Sequence, residues 1–172
     1  MMSALSILIL SAAPLLAAAA PGQPHDHGVA RLDVAVEPTR VIFDFHSPLD
    51  SIVGFERAPR TDAERERAKA ALARLRNAAG LFRIDAAAGC SVHTVELQAP
   101  VLEGTTDSKS GHADVHGRYE FNCTAGAKAG HVEHGFFDAF SGLRRLELQV
   151  VTPRGQLKAR LTRPTSRLVL VR

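Results

Sequence analysis

Ala30-Arg31-Leu32-Asp33-Val34-Ala35-Val36-Glu37-Pro38-Thr39-Arg40-Val41-Ile42-Phe43-Asp44-Phe45 is the stretch on which the fold turns. Ala30, Leu32, Val34 and Val36 point one way, while Arg31, Asp33 and Glu37 point the other. That two-residue period belongs to a half-buried strand. Pro38-Thr39 interrupts it, and Val41, Phe43 and Phe45 resume the alternation. Two such runs joined by a short turn predict a β-hairpin with one apolar face.

Downstream, Thr61-Asp62-Ala63-Glu64 matches a capping box, in which the Thr and Glu side chains each satisfy a free backbone N–H at a helix start. Ala68, Leu72, Leu75 and Ala79 follow at helical spacing, a narrow apolar stripe that needs a sheet to pack on, and Asn77 to Gly80 ends the helix. Beyond Gly89 the period returns to two. Strands are expected over Val92 to Leu97, through Val115, Tyr119, Phe121 and Cys123, and through Leu146, Leu148 and Val150. Thr152-Pro153-Arg154-Gly155 reads as a tight turn, with Pro at its second position and Gly at its fourth. Leu157, Ala159 and Leu161 mark the returning strand, and Leu168 to Val171 is expected to close the same sheet. Phe136 to Leu143 reads as a short helical or irregular plug that buries Phe136, Phe137 and Phe140. One helix among several short strands, with no βαβ rhythm, predicts α+β: a mainly antiparallel sheet with one amphipathic helix packed on it.

The first 20 residues do not belong to that domain. Leu5, Ile7, Leu8, Ile9 and Leu10 supply an apolar centre, and Ala17 to Ala20 offer small residues of the kind signal peptidase cleaves after. The reading is a signal peptide over residues 1–20, although no Lys or Arg precedes its apolar core; the alternative is an uncleaved N-terminal anchor. Cys90 and Cys123 both lie in the exported part, and an even count in a small exported domain favours one disulfide over two separate buried thiols. Closing a loop of roughly 33 residues is worth about 3–4 kcal/mol on the chain-entropy account.

Composition narrows the function classes. The net charge is +3 with eight neutral His, and no basic stripe is interleaved with aromatics, so nucleic-acid binding has little support. The arginines and lysines that thicken toward the C-terminus mostly alternate with apolar residues and read as a solvated sheet face. There is no Gly-x-Ser-x-Gly, no His-Glu-x-x-His and no phosphate loop, and Asp44, Asp50, Glu56 and Asp62 are scattered rather than paired for acid–base work. The expectation is a protein that is not an enzyme.

Histidine placement is the informative feature. His112, Asp114 and His116 share one face where strand alternation begins, opposite Val115 and Tyr119. Imidazole and carboxylate are ligand types that zinc takes. A strand rises about 3.3 Å per residue, so an i, i+2 pair about 7 Å apart at Cα can share an ion, whereas an i, i+4 pair about 13 Å apart cannot on a straight strand. One pair plus donors from elsewhere is therefore expected. His25-Asp26-His27, just before the first strand, is the expected source, and the alternative is that each cluster is a solvated loop. His131 and His134 read as surface residues between glycines, and His46 and His93 as structural or solvent-facing.

Several longer runs resemble one family, the ZrgA-like periplasmic zinc-uptake proteins. They are Ser47-Pro48-Leu49-Asp50-Ser51-Ile52-Val53-Gly54-Phe55-Glu56-Arg57-Ala58-Pro59-Arg60-Thr61-Asp62-Ala63-Glu64, His27-Gly28 before the first strand, His112-Ala113-Asp114, Phe137-Asp138-Ala139-Phe140-Ser141-Gly142, and Leu148 to Gln156. The resemblance covers nearly the whole mature chain. It implies a periplasmic zinc-binding protein that assists a zinc ABC importer, with zinc and a periplasmic solute-binding protein or the importer as partners. By position it carries ligand roles onto His25, His27, His112, Asp114 and His116. The run Thr105 to Gly111 holds no His where family members often carry a His/Asp/Glu-rich loop, and Arg57 stands where members often have His after Gly-Phe-Glu; both losses reduce the capacity for several zinc ions, and about one per chain is expected. The domain plan is a signal peptide (1–20), a His-containing segment (21–28) and a single zinc-binding α+β domain (29–172). The rival readings are a metal-independent envelope interaction or assembly module, and a zinc hydrolase, for which no general base stands out.

Overall fold

The computed structural model describes residues 26–104 and 113–170. The expected signal peptide, His25, the run containing His112, and Val171 lie outside the described residues. The alternation around Ala30 becomes strand β1 (Val29–Val36), and the resumed alternation becomes β2 (Arg40–Pro48). They pair antiparallel, with Leu32 opposite Phe45 and Arg31 opposite His46. The chain then turns through a short helix α1 (Leu49–Val53) into α2 (Asp62–Arg76). Thr61 caps α2 as its sequence indicates: the Glu64 N–H donates to Thr61 Oγ1 (3.2 Å), and Glu64 Oε2 accepts from the Thr61 N–H (3.3 Å). Arg57 clamps the same carboxylate through two guanidinium nitrogens (2.9 and 2.6 Å). These donors hold the Glu64 pKa down to about 2, the Arg57 bond contributing most.

A further short helix, α3 (Ala78–Leu81), leads to β3 (Phe82–Ile84) and β4 (Cys90–Gln98). A single turn, α4 (Pro100–Glu103), precedes β5 (Asp114–Cys123), followed by β6 (His131–His134), α5 (Phe136–Ala139), β7 (Arg145–Thr152), β8 (Gly155–Thr162) and β9 (Arg167–Val169). Six strands form one sheet in the order β4-β5-β2-β1-β7-β8. All its neighbours are antiparallel except β1 and β7, which run parallel. The architecture is α+β with mainly antiparallel pairing, and Cys90 and Cys123 form a disulfide between register partners of β4 and β5. The β7–β8 hairpin closes at Thr152 and Gly155, where the tight turn was expected.

Two expectations need correction. Leu168 does not extend the main sheet: β9 joins β3 and β6 in a separate three-stranded sheet, ordered β3-β6-β9. Ala79 is exposed, and Ala78 takes its place in the core. The cause is local. Asn77 leaves helical geometry at ψ 75°, which shifts the phase of everything after it.

The core lies between the inner face of the large sheet and the layer made by α2, the small sheet and α5. Phe82 of β3 stacks on Phe43 at 4.0 Å and meets Tyr119 edge-on at 5.0 Å, while Phe136 stacks on Phe45 at 4.3 Å. With no Trp in the chain, these rings are its largest buried surfaces, and aromatic pairs add about 0.5–1.5 kcal/mol beyond their buried area. Buried Tyr119 donates to the Leu75 carbonyl (2.9 Å), one of the four carbonyls the end of α2 leaves without a helical partner. Its ring leans over Gly117, where any Cβ would lie 2.8 Å from ring atoms. The outer face of the large sheet stays polar and carries the residues of interest.

Candidate metal centre

Register, not sequence proximity, assembles the site. On β5 the inward positions are Val115, Gly117, Tyr119, Phe121 and Cys123, so Asp114, His116 and Arg118 face outward. On β2, Phe43 and Phe45 are buried, so Asp44 and His46 face outward. The antiparallel register sets His46 directly opposite His116 and Pro48 opposite Asp114. Directly opposed Cβ atoms in such a pair stand about 4.5–5.5 Å apart, a spacing at which two imidazoles can share one ion. Their ring centroids are 4.2 Å apart, and His46 Nε2 lies 3.4 Å from Asp114 Oδ2. One ligand atom from each of His46, Asp114 and His116 lies within 4.8 Å of the other two.

The surroundings favour a cation. Partial burial, and then the neighbouring His46, push the His116 pKa down, with Asp114 opposing. The imidazole therefore keeps a lone pair available to more acidic pH than usual. Arg118, two residues along β5, is drawn away by Asp44 (2.9 Å) and Glu120 (3.0 Å). A groove of about 470 Å³ runs beside the imidazoles, lined by Asp33, Asp44 and Glu96 and also by Arg31 and Arg118, so its charge is mixed. Two nitrogens and one carboxylate oxygen make three of the roughly four ligands of tetrahedral zinc. Among the described residues no fourth donor is grouped with these three.

The expected ligands separate into three outcomes. Asp114 and His116 lie together in this group. His27 lies in a second group with Asp50 and Glu56, again with one ligand atom from each within 4.8 Å of the others. These carboxylates, far apart in sequence from His27, are brought to it by the fold. His27 Nδ1 contacts Asp50 Oδ2, and that bond is the main cause of its raised pKa. Among the described residues, these two groups are the only ones of three or more such donors, and neither shares a member with the other. His25 and His112 lie outside the described residues.

His46 is the candidate donor that the sequence alone does not single out. Its outward position was visible in the β2 alternation, but its partner was set by a register no local pattern reveals. His134 also differs from expectation: it is buried rather than on the surface. The segment is a strand, whose alternation sends Val132 and His134 inward, and His134 meets the Phe137 ring edge-on at 4.7 Å. Burial lowers its pKa. His131 pairs with Asp85 (3.2 Å), and His93 is exposed.

The family model described as ZrgA family zinc uptake protein matches residues 24–170. The chain belongs to this family. Its role is thus in zinc uptake, and the ZrgA match spans both donor groups as well as the disulfide. No curated protein matches the chain significantly. None of the described helices is long and apolar enough to cross a membrane.

Proposed function

We propose that this ZrgA family member is a zinc-binding accessory protein of the periplasm, exported by residues 1–20, that captures zinc and passes it toward a zinc ABC importer or its solute-binding protein. It catalyses no reaction, and zinc is its cargo. The observation that carries the reading is the cross-strand pair His46–His116 with Asp114 in reach. Family membership supports zinc as the metal, since imidazole donors alone also suit copper and nickel. His112 stands two residues before Asp114 and is the sequence candidate for the open position; His25 remains a sequence candidate near His27.

The test is calorimetry with zinc on the exported chain. Structural zinc sites of four ligands bind with about 10–16 kcal/mol, or roughly 3 kcal/mol per ligand, so removing one imidazole is expected to weaken the site by about 100-fold. His46→Ala and His116→Ala should each do so, and His112→Ala should match them if His112 is the fourth ligand. Unchanged affinity in a His46→Ala/His116→Ala double variant refutes the site. The metal-independent envelope module is the second outcome: it requires partner binding that is equal with and without chelator.

A further inference from the structure

We propose that β8 is a docking edge: it takes up an extended segment of a partner protein, a strand whose side chains alternate between acidic and apolar. β8 is separated from His46 and His116 by β1 and β7, and its docking requires no metal.

An edge strand turns a row of backbone N–H and C=O groups away from its one neighbour, a template for a further strand. The two sheets have four edges, and three of them are blunted. β3 and β9 have three residues each. β4 is interrupted by a shift of register between Val92 and Thr94, an irregularity that bends and twists a strand. β8 differs from all three. Its eight residues pair with β7 without a break, from Gly155 opposite Thr152 to Thr162 opposite Arg145. Among the described residues, no backbone bond outside that ladder engages residues 156–161.

The two faces of β8 dictate what an incoming strand must offer. Leu157, Ala159 and Leu161 point inward and pack against the core, yet each stays only half-buried. Apolar residues on an added strand would cover them further. Gln156, Lys158, Arg160 and Thr162 point outward and are exposed. Lys158 faces neutral Gln149 across the ladder and has no ion pair among the described residues. Arg160 shares Glu147 (3.5 Å) with Arg145 (3.6 Å), so one carboxylate serves two guanidiniums. A groove of about 460 Å³ follows this face, where Arg31, Lys158 and Arg160 outnumber the one acid, Glu147. Directly opposed side chains stand about 4.5–5.5 Å apart at Cβ, so carboxylates on the incoming strand would meet both β8 cations.

The same residues reject a second copy of the chain. Antiparallel pairing of β8 with itself that keeps inward residues inward must be centred on a residue. Centred on Lys158 it sets Lys158 against Lys158; on Ala159, Lys158 against Arg160; on Arg160, Arg160 against Arg160. All three central registers place like charges directly opposite, which is destabilising. The edge is closed to itself and open to an acidic strand.

Sedimentation and NMR amide exchange on the exported chain test this. Wild type is expected to be monomeric. Lys158→Glu sets a carboxylate opposite Arg160 twice in the Ala159-centred pairing, so it is expected to dimerise as concentration rises. Lys158→Glu/Arg160→Glu restores like charges and is expected to be monomeric again. All these side chains are exposed, and unchanged thermal melts verify an intact fold. The probe is a blocked peptide of four Glu-Val repeats. It should slow amide exchange along residues 156–162 of wild type and bind Lys158→Glu/Arg160→Glu about ten-fold more weakly. A peptide of four Glu-Pro repeats carries the same charge but cannot donate to a ladder, and should leave exchange unchanged. Equal binding of the two peptides means a charged surface only and overturns the proposal. A wild-type dimer with β8 amides protected before any peptide is added makes a second copy the occupant and overturns it too. So does a Glu-Val peptide that leaves β8 exchange unaltered.

Discussion

Breaking the Cys90–Cys123 bond is expected to lower global stability while leaving zinc affinity alone. The bridge closes a loop with a sequence separation of 33. The chain-entropy relation gives a loop-closure entropy of about 12.5 cal/mol/K for that length, or about 3.7 kcal/mol at 25 °C. With a urea slope of about 2 kcal/mol/M, the unfolding midpoint should fall by about 1.9 M. Two arms separate causes. Reduced wild type keeps both sulfurs, whereas Cys90→Ala/Cys123→Ala also removes buried Cys123 sulfur and should fall slightly further. Zinc affinity is the internal control. Cys123 and His116 stand at opposite ends of β5, about 23 Å apart along a strand. Matching zinc isotherms for the oxidised chain and Cys90→Ala/Cys123→Ala are expected at denaturant-free conditions; the reduced chain is left out of this comparison because its freed thiolates are zinc ligands themselves. A midpoint shift below about 0.5 M in both arms, with m unchanged, refutes the loop-entropy reasoning. A large loss of zinc affinity refutes the independence of the two ends.

Tyr119→Phe should cost about 1–3 kcal/mol in denaturant unfolding, because it strands the buried Leu75 carbonyl at the end of α2; a loss within error would mean that carbonyl finds water. His134 gives a pH signature. Its folded pKa lies below the unfolded value of about 6.5, so in between the unfolded chain holds a proton that the folded chain lacks. Its contribution is therefore complete above about pH 6.5 and is lost as pH falls through that window. The stability of His134→Leu relative to wild type should rise from pH 7.5 to pH 5, with Asp138 and the Thr165 backbone moderating the effect. A difference that stays flat with pH would sink that account.

What could be read from the sequence follows the range of the interactions involved. The β1–β2 alternation, the Thr61–Glu64 box and the Thr152–Gly155 turn are local devices, and the structure contains each of them. The small sheet was hidden because β3 and β9 have three residues each and β6 has four, too few for a period to show. Those strands hold together through Phe82 on the main core and through distant pairings such as Val132 with Leu168. The site divides the same way. The shared face of Asp114 and His116 is a property of one strand. Joining His46 to them takes the β2–β5 register, and joining Asp50 and Glu56 to His27 takes the α1 corner together with the β1–β7 seam.

The ladder that sets His46 against His116 also dictates how an ion would leave. Both imidazoles ride on neighbouring interior strands of a six-stranded sheet, so no hinge separates them without tearing paired backbone. Under the proposed zinc-handling role, unloading then depends on an incoming donor that displaces the strand-borne ligands one at a time. On such a rigid platform, the speed of delivery is a property of the recipient's approach, and an acceptor with its own histidines or carboxylates would set the pace.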